Sequence, residues 1–149
     1  MRWTPLLATP AAIIVTAPAQ ATVYFTTEQV QHAIFPGASF TSTGSPGVWR
    51  ASTGGYLVID RVLGKHEYIA FALGVNANGT VRRIEIMTYN ESYGYEVRNA
   101  DWRAQFVGKS ASSPLQLNAD IKNISGATLS SKHITDGVRQ ILLNLKGRS

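Results

Sequence analysis

Cysteine is absent from this 149-residue chain, which excludes a disulfide framework and lipid attachment through a thiol. Acid is scarce: nine Asp and Glu stand against fourteen Lys and Arg, for a net charge of +5. The basic residues are scattered, no run of them exceeds two, and no stripe interleaves them with aromatics. That pattern excludes a nucleic-acid face and leaves solubility with a mild attraction for anionic partners. No apolar run approaches the roughly 20 residues that cross a bilayer. Neither G-x-G-x-x-G nor G-x-S-x-G occurs, so the dinucleotide fingerprint and the nucleophile elbow are both missing. His32, His66 and His133 lack metal-ligand spacing. Ser131, His133 and Asp136 do not read as a triad, because positions i and i+2 diverge on a helix. There is no internal repeat and no low-complexity tract. What remains is 44% hydrophobic and 15% charged, the balance of one globular domain with a real core.

Charge is also missing between Arg2 and Glu28. Within that gap lie an apolar segment, Leu6 to Ala17, and a small-x-small signal, Ala19-Gln20-Ala21. The segment reads as a secretory signal peptide, residues 1–21, cut after Ala21. The expected product is a single domain over 22–149, exported to the bacterial periplasm. A retained anchor or a buried N-terminal strand is the alternative, and Pro5, Pro10 and Pro18 weigh against a helical anchor.

Periodicity predicts the rest. Thr26 or Thr27 caps a short helix whose Val30, Ala33 and Ile34 share a face, and Pro36-Gly37 stops it. Residues 40–55 read as turn-rich, with few extended residues. Asn78-Gly79 signals a hairpin pairing 66–75 with 80–89, with Ile84 and Ile86 on its buried face. Asn99 is placed to cap a short helix carrying Trp102 and Phe106, which Gly108 ends. Trp102 reads as core. Ile134, Val138, Ile141, Leu142 and Leu145 mark a C-terminal helix. Strands followed by helices, without a βαβ rhythm, give an α+β fold with a largely antiparallel, curved sheet.

The stretch "NISGATLSSKHITDGVRQILLNL" gathers small and hydroxyl residues at the mouth of that last helix. Read plainly, Ser130 or Ser131 is a helix cap and Gly126 a turn residue. Read functionally, a helix start offers unpaired N–H groups and a positive dipole end to a phosphate. Residue chemistry alone leaves both readings open.

"SGATLSS" at 125–131 resembles the S/T-G-A-T-x-S/T signature of the bacterial FMN-binding domain family. That family includes the flavinylated subunits of the sodium-translocating NADH:quinone reductase and of the Rnf complex, and many small secreted proteins. Residues 55–97 are similar to its central hairpin, which includes an E-S/T-x-G element, here Glu91-Ser92-Tyr93-Gly94. "WRAQFVGKS" at 102–110 fits the single-domain members. The resemblance implies FMN as cofactor, esterified through its phosphate to the Thr128 hydroxyl by a separate flavin transferase that uses FAD. It implies a phosphate loop shaped by Ser125, Gly126, Ala127 and Leu129, with Ser130 and Ser131 donating to phosphate oxygens. It brings Glu91, Tyr93 and Gly94 toward the isoalloxazine or ribityl group, although the tyrosine also reads as a sheet-surface residue. The function implied is an electron carrier between redox proteins, some of them membrane-bound, rather than an enzyme with its own turnover. One position departs from the pattern: the family often has Asp three residues before the Ser of SGAT, where this chain has Lys122, with Asp120 the nearest acid. Noncovalent FMN binding therefore stays open, as does a non-redox exported scaffold in which SGATLSS is only a cap.

Overall fold

The computed structural model describes residues 22–91 and 94–148. The expected signal peptide, Ser92 and Tyr93 lie outside the described residues. The chain runs β1 (Thr22–Val23), α1 (Thr27–Ile34), β2 (Phe40–Ser42), β3 (Val48–Ala51), β4 (Tyr56–Leu63), β5 (Tyr68–Val75) and β6 (Val81–Tyr89). A 3-10 turn at Tyr95–Arg98 leads to α2 (Ala100–Ala104), and α3 (Thr128–Lys146) closes the domain. The strands form one antiparallel sheet in the order β1-β6-β5-β4-β3-β2, so the fold is α+β as expected.

β5 explains the layering. Its sequence, YIAFALGV, is almost wholly apolar, and every residue from Phe71 to Val75 is buried. An antiparallel strand reads this way only when both faces of the sheet are covered. Phe71, Leu73 and Val75 face one core, with Ile84 and Ile86 of β6 and with Ile134, Val138 and Leu142 of α3. Ala72 faces the other, with Leu57, Met87 and the α1 residues Val30 and Ile34. α1 and α3 thus sandwich the sheet. α1 begins with a capping box, Thr26 accepting from the Gln29 amide while Gln29 accepts from that of Thr26.

The expected hairpin is present, with Val75 opposite Val81 and Phe71 opposite Ile86. Its loop is longer than a two-residue turn. Gly79 sits at φ 87° and donates to the Asn76 carbonyl at 2.9 Å, while Asn78 Oδ1 accepts from the Thr80 amide. Three expectations are corrected. Residues 40–55 hold two strands, β2 and β3, paired from Phe40–Ala51 to Ser42–Trp49. Asn99 precedes α2 but makes no side-chain cap. Finally, α3 starts at Thr128, and neither Ser130 nor Ser131 caps it: both lie inside its first turn, behind an Ala127 that has no capping side chain.

Between α2 and α3 the chain has little regular structure but is firmly tied. Trp102 Nε1 donates to the Lys122 carbonyl at 2.8 Å, and Gln105 Oε1 accepts from the Lys122 amide at 2.7 Å. Trp102 is buried edge-on against Phe106, the core role expected. Asp120 accepts from the amides of Leu115 and Gln116, each at 3.0 Å. These bonds fix the segment that delivers Asn123 to the start of α3.

Candidate functional site

A turn immediately before α3 brings the small residues together. The Ala127 amide donates to the Ile124 carbonyl at 2.9 Å, and Gly126 takes φ 83°, the left-handed region that glycine enters freely. A Cβ at Gly126 would meet nothing within 4 Å, so the space in front of it is open. Intrahelical bonding starts with the Ser131 amide on the Ala127 carbonyl at 3.1 Å. The amides of Thr128, Leu129 and Ser130 come before the first such bond and have no side-chain cap. No acid occupies the first turn. The helix therefore presents free donors and the positive end of its dipole.

The hydroxyls divide by environment. Ser131, 0% exposed, has its Oγ within bonding distance of Asn123 Oδ1 (3.1 Å), the Ala127 carbonyl (3.0 Å) and the Thr128 carbonyl (3.2 Å). Ser130, 3% exposed, lies 3.4 Å from the Tyr89 hydroxyl. Burial pushes that phenol above its ordinary value, partly offset by the Ser130 contact, so it stays neutral. Ser125 and Thr128 are exposed. Leu129 is 45% exposed and projects from the same turn.

A cavity of about 370 Å³ opens here, lined by Lys65, His66, Glu91, Gly126, Ala127, Thr128, Leu129 and Ser130. Its size falls within the range of small-molecule pockets. The two sequence elements meet at its edge: Gly94, at φ 89°, packs so closely that a Cβ would lie 2.6 Å from Ala127 Cβ. Of the expected site residues, six line the cavity: Gly126, Ala127, Thr128, Leu129, Ser130 and Glu91. Gly94 backs it, Ser125 and Ser131 are not among its lining, and Tyr93 lies outside the described residues.

Glu91, in the cavity's lining, is buried. Its Oε1 accepts from the amides of His66 and Glu67, and its Oε2 lies 3.5 Å from His66 Nδ1. Burial raises its pKa, but the two amides and the imidazole outweigh that and hold it below the usual carboxylate range. Lys65 and His66 were missed as site residues. They sit in the turn joining β4 to β5, and only the β4–β5 pairing, which ends at Leu63 opposite Tyr68, puts that turn beside the start of α3. His133 strengthens the junction, its Nδ1 donating to the Leu63 carbonyl. Lys122 and Asp120 do not line the cavity.

Residues 64–143 match the FMN-binding domain family, a span that encloses every residue lining the cavity. The chain is also 33% identical over 84 residues to a subunit of the Na(+)-translocating ferredoxin:NAD(+) oxidoreductase complex of Acetobacterium woodii, an alignment covering 48% of this chain and 41% of that relative. The chain thus spans about two-fifths of the relative's length. The free amides, the Lys65 ammonium and the open space at Gly126 suit a phosphate-bearing ligand. With more than half its length matched, the chain belongs to the FMN-binding domain family, and FMN is the cofactor it carries.

Proposed function

We propose that this protein is an exported electron-transfer carrier whose FMN is joined by its phosphate to Thr128 Oγ. Bound FMN supplies one- or two-electron chemistry; the chain holds the cofactor and shields one side of it. The observation that carries the attachment site is the contrast among hydroxyls. Thr128 Oγ is exposed at the cavity and has no hydrogen bond among the described residues, whereas those of Ser130 and Ser131 face inward to partners.

Attachment proceeds by transfer from FAD. Thr128 Oγ forms a bond to the FMN-side phosphorus, the pyrophosphate P–O bond breaks, and AMP leaves. No described carboxylate or imidazole contacts Thr128 Oγ, so the proton passes to a base on the flavin transferase. The open amides of the first turn receive the phosphate oxygens. Electrons then pass to redox partner proteins of a membrane chain, a role supported by the likeness to a component of an oxidoreductase complex. Export rests on the N-terminal segment.

Co-expression with a flavin transferase tests this. The chain gains the mass of one FMN less one water, and peptide mapping places it on Thr128. Thr128→Ala abolishes the gain and Thr128→Ser retains part of it. FMN on Ser130 or Ser131 would refute the assignment. Lys122, standing where the family often has Asp, favours a second reading, noncovalent FMN. That reading requires the yellow colour to leave the protein on denaturation.

A further inference from the structure

The cavity has two walls, and the attachment residue accounts for one. The other is the turn Gly64–Glu67, closed by the Gly64 amide on the Glu67 carbonyl at 2.7 Å. Lys65 and His66 of this turn line the cavity and are exposed. Lys65 has no hydrogen bond or ion pair among the described residues. Among the described residues, no acid but Glu91 lines the same space.

Glu91 occupies the cavity wall without being free to serve a ligand through Oε1, which is taken by two successive amides of the turn. A Cβ on Gly64 would lie 2.9 Å from that oxygen, so the carboxylate is seated directly against the turn backbone. Two amide donors plus an imidazole make a rigid seat, because each restrains a different part of the turn. Cut loose from Glu91, the four-residue turn keeps its closing bond and the His133 bond to Leu63 just ahead of it, but among the described residues nothing else ties Lys65 and His66 to the cavity.

We propose that Lys65 and His66 hold negative charge on the bound FMN, and that Glu91 is a positioning residue that clamps their turn against the cavity rather than a flavin ligand. This rests on the FMN reading above. The charge they meet is the phosphate or the reduced isoalloxazine, and the two are separable by experiment.

The test uses the full chain loaded by a flavin transferase, as wild type and as Lys65→Met, His66→Ala, Glu91→Gln and Gly64→Ala. Three quantities are read: the fraction loaded at limiting transferase, the midpoint potential, and the anisotropy of flavin fluorescence. If the pair meets the phosphate, Lys65→Met loads about fivefold less at unchanged potential, the effect of one partly exposed charge pair. If it meets the ring, loading holds and the potential moves negative, because the reduced anion loses its counter-charge. Glu91→Gln and Gly64→Ala move the same quantity in the same direction while leaving Lys65 in place, and Gly64→Ala carries this arm should Glu91→Gln fail to fold. The proposal is overturned if Lys65→Met and His66→Ala change none of the three. It is overturned equally if Glu91→Gln alone changes them, which would make Glu91 the ligand. Wild-type chain that takes up no flavin overturns the proposed function itself, and this inference with it.

Discussion

At Gly94 the backbone runs at φ 89°, and a Cβ placed there would lie 2.4 Å from the Tyr89 hydroxyl and 2.6 Å from Ala127 Cβ. Gly94→Ala therefore faces two costs, the left-handed conformation and the overlap, together about 2–4 kcal/mol. Urea unfolding measures the loss, and flavin loading should fall beyond it, because Ala127 must shift and carry Thr128 with it. Thr128→Ala is the contrasting case: its side chain caps nothing, so loading is lost with stability nearly unchanged. The resemblance to the family signature points to Thr128, whereas residue chemistry alone leaves the helix mouth undivided. That chemistry does not separate Thr128 from Ser130 and Ser131, since all three fit a helix mouth. Burial distinguishes the three hydroxyls, and burial depends on which way the first turn of α3 faces the sheet. Lys65 and His66 carry no motif and were legible only once β4 and β5 were paired.

Among the elements, α3 was the most legible, because its apolar residues recur at helical spacing over the whole segment and define one buried stripe. Its start was misplaced because serine before an apolar run usually means a cap; here both serines face inward and Ser131 bonds back to the Ala127 carbonyl. β2 and β3 were missed for a different reason. Their residues sit among Gly, Ser, Thr and Pro; β3 extends along the edge that β4 offers, and β2 along β3 in turn. Gly137 tests how α3 meets that sheet. In an exposed helix, Gly→Ala is worth about 1 kcal/mol of stabilisation. At Gly137 the new Cβ would lie 2.9 Å from Val62 Cγ1 and 3.3 Å from Phe71. Gly137→Ala should instead lower the thermal midpoint; a rise would mean that the helix can lift off β4 at little cost.

Three buried or half-buried carboxylates tie the molecule together, Glu91 and Asp120 in loops and Asp136 within α3, paired to Lys132 and Arg139. Burial raises the pKa of Glu91, Asp120 and Asp136, but hydrogen bonds and cations win and hold all three below their ordinary values. A depressed native pKa contributes stability that is fully present above the unfolded value, about 4, and is lost as pH falls through the native value. The urea midpoint should therefore be flat near neutral pH and decline below about pH 4. Asp120→Asn should be less stable at neutral pH and show a shallower acid decline. An unchanged acid slope in that variant would place the sensitivity elsewhere. Among the described residues no helix is long and apolar enough to cross a membrane.

β1 is only two residues long, yet its register sets Thr22 opposite Tyr89 and Val23 opposite Thr88. The chain therefore enters the domain at the strand that, two residues on, supplies Glu91 to the cavity. Bracing that strand end, β1 acts as a splint for the stretch that carries Glu91 into the cavity lining.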